Sequence, residues 1–246
     1  MDDVRVAGPV RPNLRAGRLT AYTFSVETAI GRNPMRYLLA RGFDGERPTR
    51  ATTVLFVLQP AVLSGTYVRI EEDKLAGRCQ VHTFLPTMAA PLPVAEPLTF
   101  DCLPLTDVSY LDLMAWSHPA LRPVETTHAE DRNLDGSAAV APDTRHYLGP
   151  PSLPTLEVTE FVDLDRGLVS RRLLRRDGQP LRTWEITEHG GAGGEEPPRR
   201  IEVCRSRTGH RTEFIRTSPA VALPDGVFTQ PPMQLRHAAE ERLDRR

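Results

Sequence analysis

The sequence has little of what most recognisable chemistry requires. Its three cysteines, Cys79, Cys102 and Cys204, are odd in number and never stand as CxxC. That excludes a disulfide framework and a structural zinc site and leaves them as buried thiols. No GxSxG elbow, HExxH, GxxxxGK[ST] loop or GxGxxG occurs, so the common hydrolase, zinc-protease and nucleotide-binding readings have no residues to stand on. The seven histidines, at positions 82, 118, 128, 146, 189, 210 and 237, lack the i, i+4 or short paired spacing of metal ligands, and no metal or other cofactor is expected.

Charge of one sign is also missing. A formal net charge of -1 gives no global attraction to nucleic acid or acidic membranes. Arginine greatly outnumbers lysine and clusters in RRLLRR, Arg171 to Arg176, but few aromatics are interleaved and no nucleic-acid partner is expected. Long apolar runs are absent too: Val54 to Leu58 is followed by Gln59, Pro60 and Ser64, far short of the roughly 20 residues of a membrane span, so no stable membrane insertion is expected. The start, MDDVRVAGPVRPNLRAGRL, shows neither the basic n-region nor the apolar h-region of a secretory signal, and the expectation is a cytoplasmic protein. The glycine cluster Gly190 to Gly194 has no helix pattern after it and reads as a flexible hairpin loop.

What is present reads as strands. With 246 residues and 39% hydrophobic side chains the chain can bury a core as one domain, 1–246, with an N-terminal arm at 1–18 and a charged C-terminal tail at 234–246. LTAYTFSVETAI and MRYLLARGF flank the turn signal Gly31-Arg-Asn-Pro34; RATTVLFVL, GTYVRIEE and GRCQVHTFL follow as a meander. A second meander runs through TLEVTEFVDL, GLVSRRLLRR, PLRTWEITEH, RRIEVCRS and RTEFIRTS, with Asp177-Gly178 a strong hairpin signal. Between them, Pro86, Pro91, Pro93, Pro97 and Pro104 exclude a central strand or helix interior and imply a loop wrapped over the sheet. TDVSYLDLMAW can start a short helix with Thr106 or Asp107 as N-cap, and Arg122 to Thr144 reads as a mobile loop.

Period-two alternation assigns faces. Val68 and Ile70 share one face, and Cys79, Val81, Thr83 and Leu85 another. VLFVL does not alternate: Val54, Phe56 and Leu58 oppose Leu55 and Val57, so that strand is covered on both sides, by a helix or by a bound apolar ligand. Glu160 shares its parity with Leu156, Val158 and Val162, which aims a carboxylate at the apolar side. There it is a group with a raised pKa, or else it sits near the mouth or partners an arginine from RRLLRR. Phe84 and Phe161 fall on the nominally polar faces of their strands.

VLFVLQPAVLSGTYVRIEE, then HTFLP, DVSYLDLMAW, EVTEFVDLDRGLVSRRLLRRDGQPLRTWEI and RTEFIRTSPAVALPDGVFT together resemble the outer-membrane lipoprotein-sorting-like superfamily, that of the periplasmic lipoprotein carrier, over Leu19 to Met233. The resemblance implies a mainly β fold: a single curved antiparallel sheet, an incomplete barrel, with helix and loop plugging the concave face and a greasy cavity that in relatives holds acyl chains. Two departures stand out: the absence of a signal, and the neutral TMAAPLPVAEP where the superfamily is often arginine-rich.

The function expected is non-covalent binding or carriage of a hydrophobic, lipid-like molecule or acyl chain. Phe56, Leu58, Val68, Ile70, Phe84, Trp116 and Trp184 are the candidate cavity walls, each with ordinary core packing as its alternative. The alternative function is an enzyme of specialised metabolism, a cyclase or isomerase folding a lipophilic substrate in the same cavity. Glu160 or Asp112 would then be acid or base beside Tyr110, although Asp112 can equally anchor its helix by hydrogen bonds. A third reading is a protein-interaction module without a pocket.

Overall fold

Each alternating run becomes a strand, and turn chemistry joins them. The computed structural model describes residues 13–14, 16, 19–30, 33–44, 49–103, 106–124, 143–191, 196–224 and 226–245. Most of the expected N-terminal arm, residues 125–142 of the segment read as a mobile loop, and residues 192–195 lie outside them. The first meander is β1 (Ala21–Ile30), β2 (Asn33–Phe43), β3 (Arg50–Gln59), β4 (Tyr67–Asp73), β5 (Arg78–Phe84) and β6 (Leu92–Pro93). The second is β7 (Arg122–Val124), β8 (Asp143–Leu148), β9 (Leu156–Asp163), β10 (Leu168–Arg176), β11 (Gln179–Gly190), β12 (Glu196–Arg205), β13 (Arg211–Arg216) and β14 (Val221–Ala222). Among the described residues these form one antiparallel sheet in the order β6-β5-β4-β3-β2-β1-β13-β12-β11-β10-β9-β8-β7, with β14 beside β1. The sheet is not closed: β6 and β7 are its two edges. The two meanders join where Val26 of β1 pairs with Arg216 of β13.

The Asp-Gly signal is realised as a two-residue hairpin. Asp177 and Gly178 have φ of 54° and 72°, the pair of positive values that a type I′ turn demands and that Asp and Gly tolerate best. Four strands were not anticipated: β6, β7, β8 and the two-residue β14. β6 falls in the proline-rich stretch, where an edge position spares Pro93 from donating to a neighbour. β7 and the start of β8 fall in the segment read as a mobile loop, so Arg122 to Val124 and Asp143 to Thr144 correct that expectation: each pairs outward from β9.

Two apolar clusters form on opposite faces of the sheet. On the inner face, Tyr22, Phe24, Leu39, Leu55, Ile70, Val158, Trp184 and Phe214 pack with Val108, Tyr110, Leu111 and Met114 of the segment that covers them. That segment contains the helix α1 (Tyr110–Leu113), a single turn. Its N-cap is Ser109, not Thr106 or Asp107, because the Ser109 hydroxyl and the Asp112 carboxylate close a capping box three residues apart. On the outer face, Leu38, Val54, Phe56 and Tyr67 pack under Leu235 and Ala239 of α2 (Pro232–Asp244). The charged C-terminal tail is therefore a packed helix. It answers the question VLFVL posed: Leu55 and Val57 face the inner core, and Val54 and Phe56 are dry because α2 covers them. No helix among the described residues is long and apolar enough to cross a membrane.

Candidate functional site

The inner face carries charged residues at positions that parity places inside. Arg41 continues the Met35, Tyr37, Leu39 side of β2; Glu72 continues Val68 and Ile70; Glu160 sits with Val158 and Val162; Arg182 precedes Trp184. All are buried, as are Arg172, Asp107 and Asp112. Burying an ion unpaired is costly, so each must find partners. They find them in the covering segment.

Arg172 is the centre. Its Nε and Nη2 donate to Glu160 Oε1 at 3.0 and 2.8 Å, and its Nη1 donates to Asp112 Oδ1 at 3.1 Å and to the Leu111 carbonyl at 3.3 Å. The guanidinium also lies 5.5 Å from the centre of the Trp184 ring. Burial works against its charge, but Glu160 and Asp112 more than offset this and hold the guanidinium above its ordinary pKa. Glu160 uses its other oxygen to accept from the Ser117 hydroxyl at 2.9 Å. Arg182 reaches Asp112 Oδ2 at 3.2 Å, the Ser109 hydroxyl at 2.6 Å and the Asp107 carbonyl at 3.1 Å. Arg41 donates to the carbonyls of Leu113 and Asn13 and to Thr53 Oγ1. Glu72 accepts from the backbone N–H of Ala115 and Trp116 at 2.8 and 3.2 Å. Burial raises the Glu72 pKa, and Arg41 with these two N–H groups opposes the rise.

Asp107 closes the other end. Its carboxylate accepts from Thr212 Oγ1 at 2.8 Å and pairs with Arg205 and His210. A cleft of about 730 Å³ opens here, lined by Cys102, Asp107, Arg182, Arg205 and His210. The segment from Thr106 to Ser117 is thus laced to the sheet by side chains of β2, β4, β9, β10, β11 and β13. Between it and the sheet remains an apolar void of about 30 Å³ lined by Phe24, Val26, Leu39, Trp184, Ile201 and Phe214. Among the described residues no group of three His, Cys, Asp or Glu side chains could hold a metal ion.

The sequence candidates divide between the two faces. Val68, Ile70 and Trp184 belong to the inner cluster. Phe56, Leu58 and Phe84 belong to the outer one, under α2, with Phe84 stacked on Tyr67 at 5.2 Å. Trp116 is half-buried at the end of the covering segment, edge-on to Phe43 at 6.0 Å. Phe161, also in doubt, lies beneath the Arg171 guanidinium, 5.4 Å from its ring centre. Tyr110 is buried, bonded to Thr83, its pKa raised by burial. Glu160 points inward, and its partner is Arg172 of RRLLRR; Asp112 does anchor its helix. Both carboxylates are held by guanidinium donors. Sequence reasoning passed over Arg41, Glu72, Arg182 and Ser117 and read Asp107 only as a helix cap, although the parity count would have found the strand residues among them.

No protein-family profile and no curated protein sequence matches the chain. Its fold matches solved structures. A domain from Vibrio parahaemolyticus described as an outer membrane lipoprotein-sorting protein superposes with a TM-score of 0.67 at 12% identity, covering 90% of this chain and 93% of that one. A DUF1329 family protein from Desulfovibrio piger gives 0.65 at 15% identity, covering 86% and 90%. A LolA superfamily protein from Nitrosomonas europaea gives 0.56 at 16% identity, covering 88% and 93%. The chain has a LolA-like fold. These neighbours overturn the expected cytoplasmic location, since one of them is described as an outer membrane lipoprotein-sorting protein. The cytoplasmic reading rested on the first residues of the given sequence, and those say nothing of what precedes them.

Proposed function

We propose that the protein binds, and can carry, a hydrophobic lipid-like molecule non-covalently between the inner face of the sheet and its covering segment. The observation that carries this reading is the apolar inner face, closed by a segment with only one helical turn and with a void still left beneath it. Leu111, Leu113 and Met114 of that segment occupy the sheet much as an acyl chain would. Each methylene buried against this face adds about 0.8 kcal/mol. The sheet supplies one wall and the laced segment from Thr106 to Ser117 the other. The likeness in fold to proteins described as lipoprotein-sorting and LolA-superfamily supports the same use here.

The contacts proposed for the ligand are Val68, Ile70 and Trp184, the inner members of the candidate set. Titration of the folded protein with an environment-sensitive apolar dye, followed by displacement with dodecanoate, tests the reading. Saturable fluorescence that dodecanoate reverses is expected. A flat response from folded protein contradicts it.

A further inference from the structure

Arg41, Arg172, Arg182 and Arg216 all stand on inner-face positions with side chains at most 9% exposed, and three of them are committed to the covering segment, as is the more exposed Arg205. Arg41 donates to the Leu113 carbonyl, Arg172 to that of Leu111 and Arg182 to that of Asp107. The fourth, Arg216, is not. It follows Thr212 and Phe214 on the inward side of β13, with its side chain 9% exposed. Among the described residues its partners are the Ser218 carbonyl at 2.8 Å and Glu196 Oε2 at 2.5 Å, both at the rim. Its Nε is buried and has no hydrogen-bond partner among the described residues.

The position is unusual for such a group. Arg216 lines the apolar void with Phe24, Trp184, Ile201 and Phe214, and it also lines a solvent cleft of about 370 Å³ that contains Arg199 and His189. It therefore stands where the greasy interior meets water. A guanidinium held there at the expense of an unsatisfied donor matches an anion that offers two oxygens, carboxylate or phosphate, to two parallel N–H bonds at once. The carboxylate now on it, Glu196, is 44% exposed and can rehydrate when displaced. Glu188, the carboxylate that lines this cleft, is engaged by Arg199 at 3.1 Å.

We infer that the ligand is a single-chain amphiphile with an anionic head group, carboxylate or phosphate, whose chain lies under the covering segment and whose head is received by Arg216 at the end of β13. This rests on the proposed binding at the inner face and adds the ligand's class and direction.

Calorimetric titration at pH 8 with dodecanoate, dodecyl phosphate and neutral dodecanol tests it. The wild-type chain is expected to prefer one of the anions over dodecanol by at least about ten-fold, the yield of one charge-assisted pair. In Arg216→Met that preference falls to about one, and in Glu196→Gln, which removes the competing carboxylate, it rises. Whether carboxylate or phosphate binds better assigns the head group. An equal affinity for all three in wild type, or a preference that survives in Arg216→Met, overturns the head-group assignment while leaving the binding site standing. Failure of all three to bind folded wild type overturns the binding site itself, and the assignment with it.

Discussion

Replacing Arg172 by methionine keeps the length of a buried side chain and removes a charge on which two carboxylates depend. Four hydrogen bonds are lost, two to Glu160, one to Asp112 and one to the Leu111 carbonyl. Asp112 keeps Arg182 and the Ser109 donors. Glu160 keeps only neutral donors, chiefly the Ser117 hydroxyl, and at 1% exposure it has no access to water. Breaking a buried pair in this way costs about 3–5 kcal/mol, against a total stability of about 5–15 kcal/mol for a typical domain. For a chain of this size the melting temperature should fall by roughly 2–4 °C per kcal/mol, or about 6–20 °C in all. Glu160→Gln placed on the Arg172→Met background removes the stranded charge and should recover at least about 1 kcal/mol, because a neutral amide is cheaper to bury than a carboxylate. Urea unfolding of wild type, both single variants and the double variant gives the coupling directly. A loss under about 1 kcal/mol for Arg172→Met, or a double variant less stable than Arg172→Met alone, would refute the electrostatic lacing described above.

Four further outcomes are expected. His118, buried against Phe100, has its pKa pushed down to about 4 from 6.5 by burial, with Glu96 opposing. It is neutral in the fold, so stability is unaffected above about pH 6.5 and is lost on acidification from there towards 4, by up to about 3 kcal/mol at 1.36 kcal/mol per unit; His118→Asn should flatten that part of the profile. Gly42→Ala would put a Cβ 2.5 Å from the Phe228 ring, an overpacking expected to cost about 1–3 kcal/mol in urea unfolding. Truncation before Pro232 uncovers Leu38, Val54 and Phe56 on the outer face and should produce dye binding and aggregation even in buffer. Burial, with Glu72 adding to it, pushes the Cys79 thiol up to about 12, so a thiol reagent at pH 7.5 should label it only on unfolding.

Strand reading was the most legible part of this chain, because alternation repeats within each run and needs no knowledge of the partner strand. The count that turned Glu160 inward from Val158 and Val162 also reaches Arg41 from Leu39, Glu72 from Ile70, Arg182 from Trp184 and Arg216 from Phe214. What parity cannot supply is the partner. Arg172 meets Asp112 across 60 residues and Asp107 meets Thr212 across 105, and no local pattern encodes either pairing. The outer face was hidden for another reason. In PMQLRHAAEERLD only Leu235 and Ala239 are fully buried, so the helix that covers Phe56 reads as a charged tail. β6 and β7, two and three residues long, are too short to show a period.

The central claim is that an apolar chain lies against the inner face of the sheet, and Trp184, 1% exposed in the inner cluster, is the natural reporter. With Trp116→Phe, Trp184 is left as the sole tryptophan of a chain that has two. Titration of that variant with a fatty acid brominated along its chain should quench Trp184 emission saturably, since bromine quenches only on contact. Undiminished Trp184 emission in folded protein, at concentrations of acid that saturate the dye-displacement titration, would contradict the account.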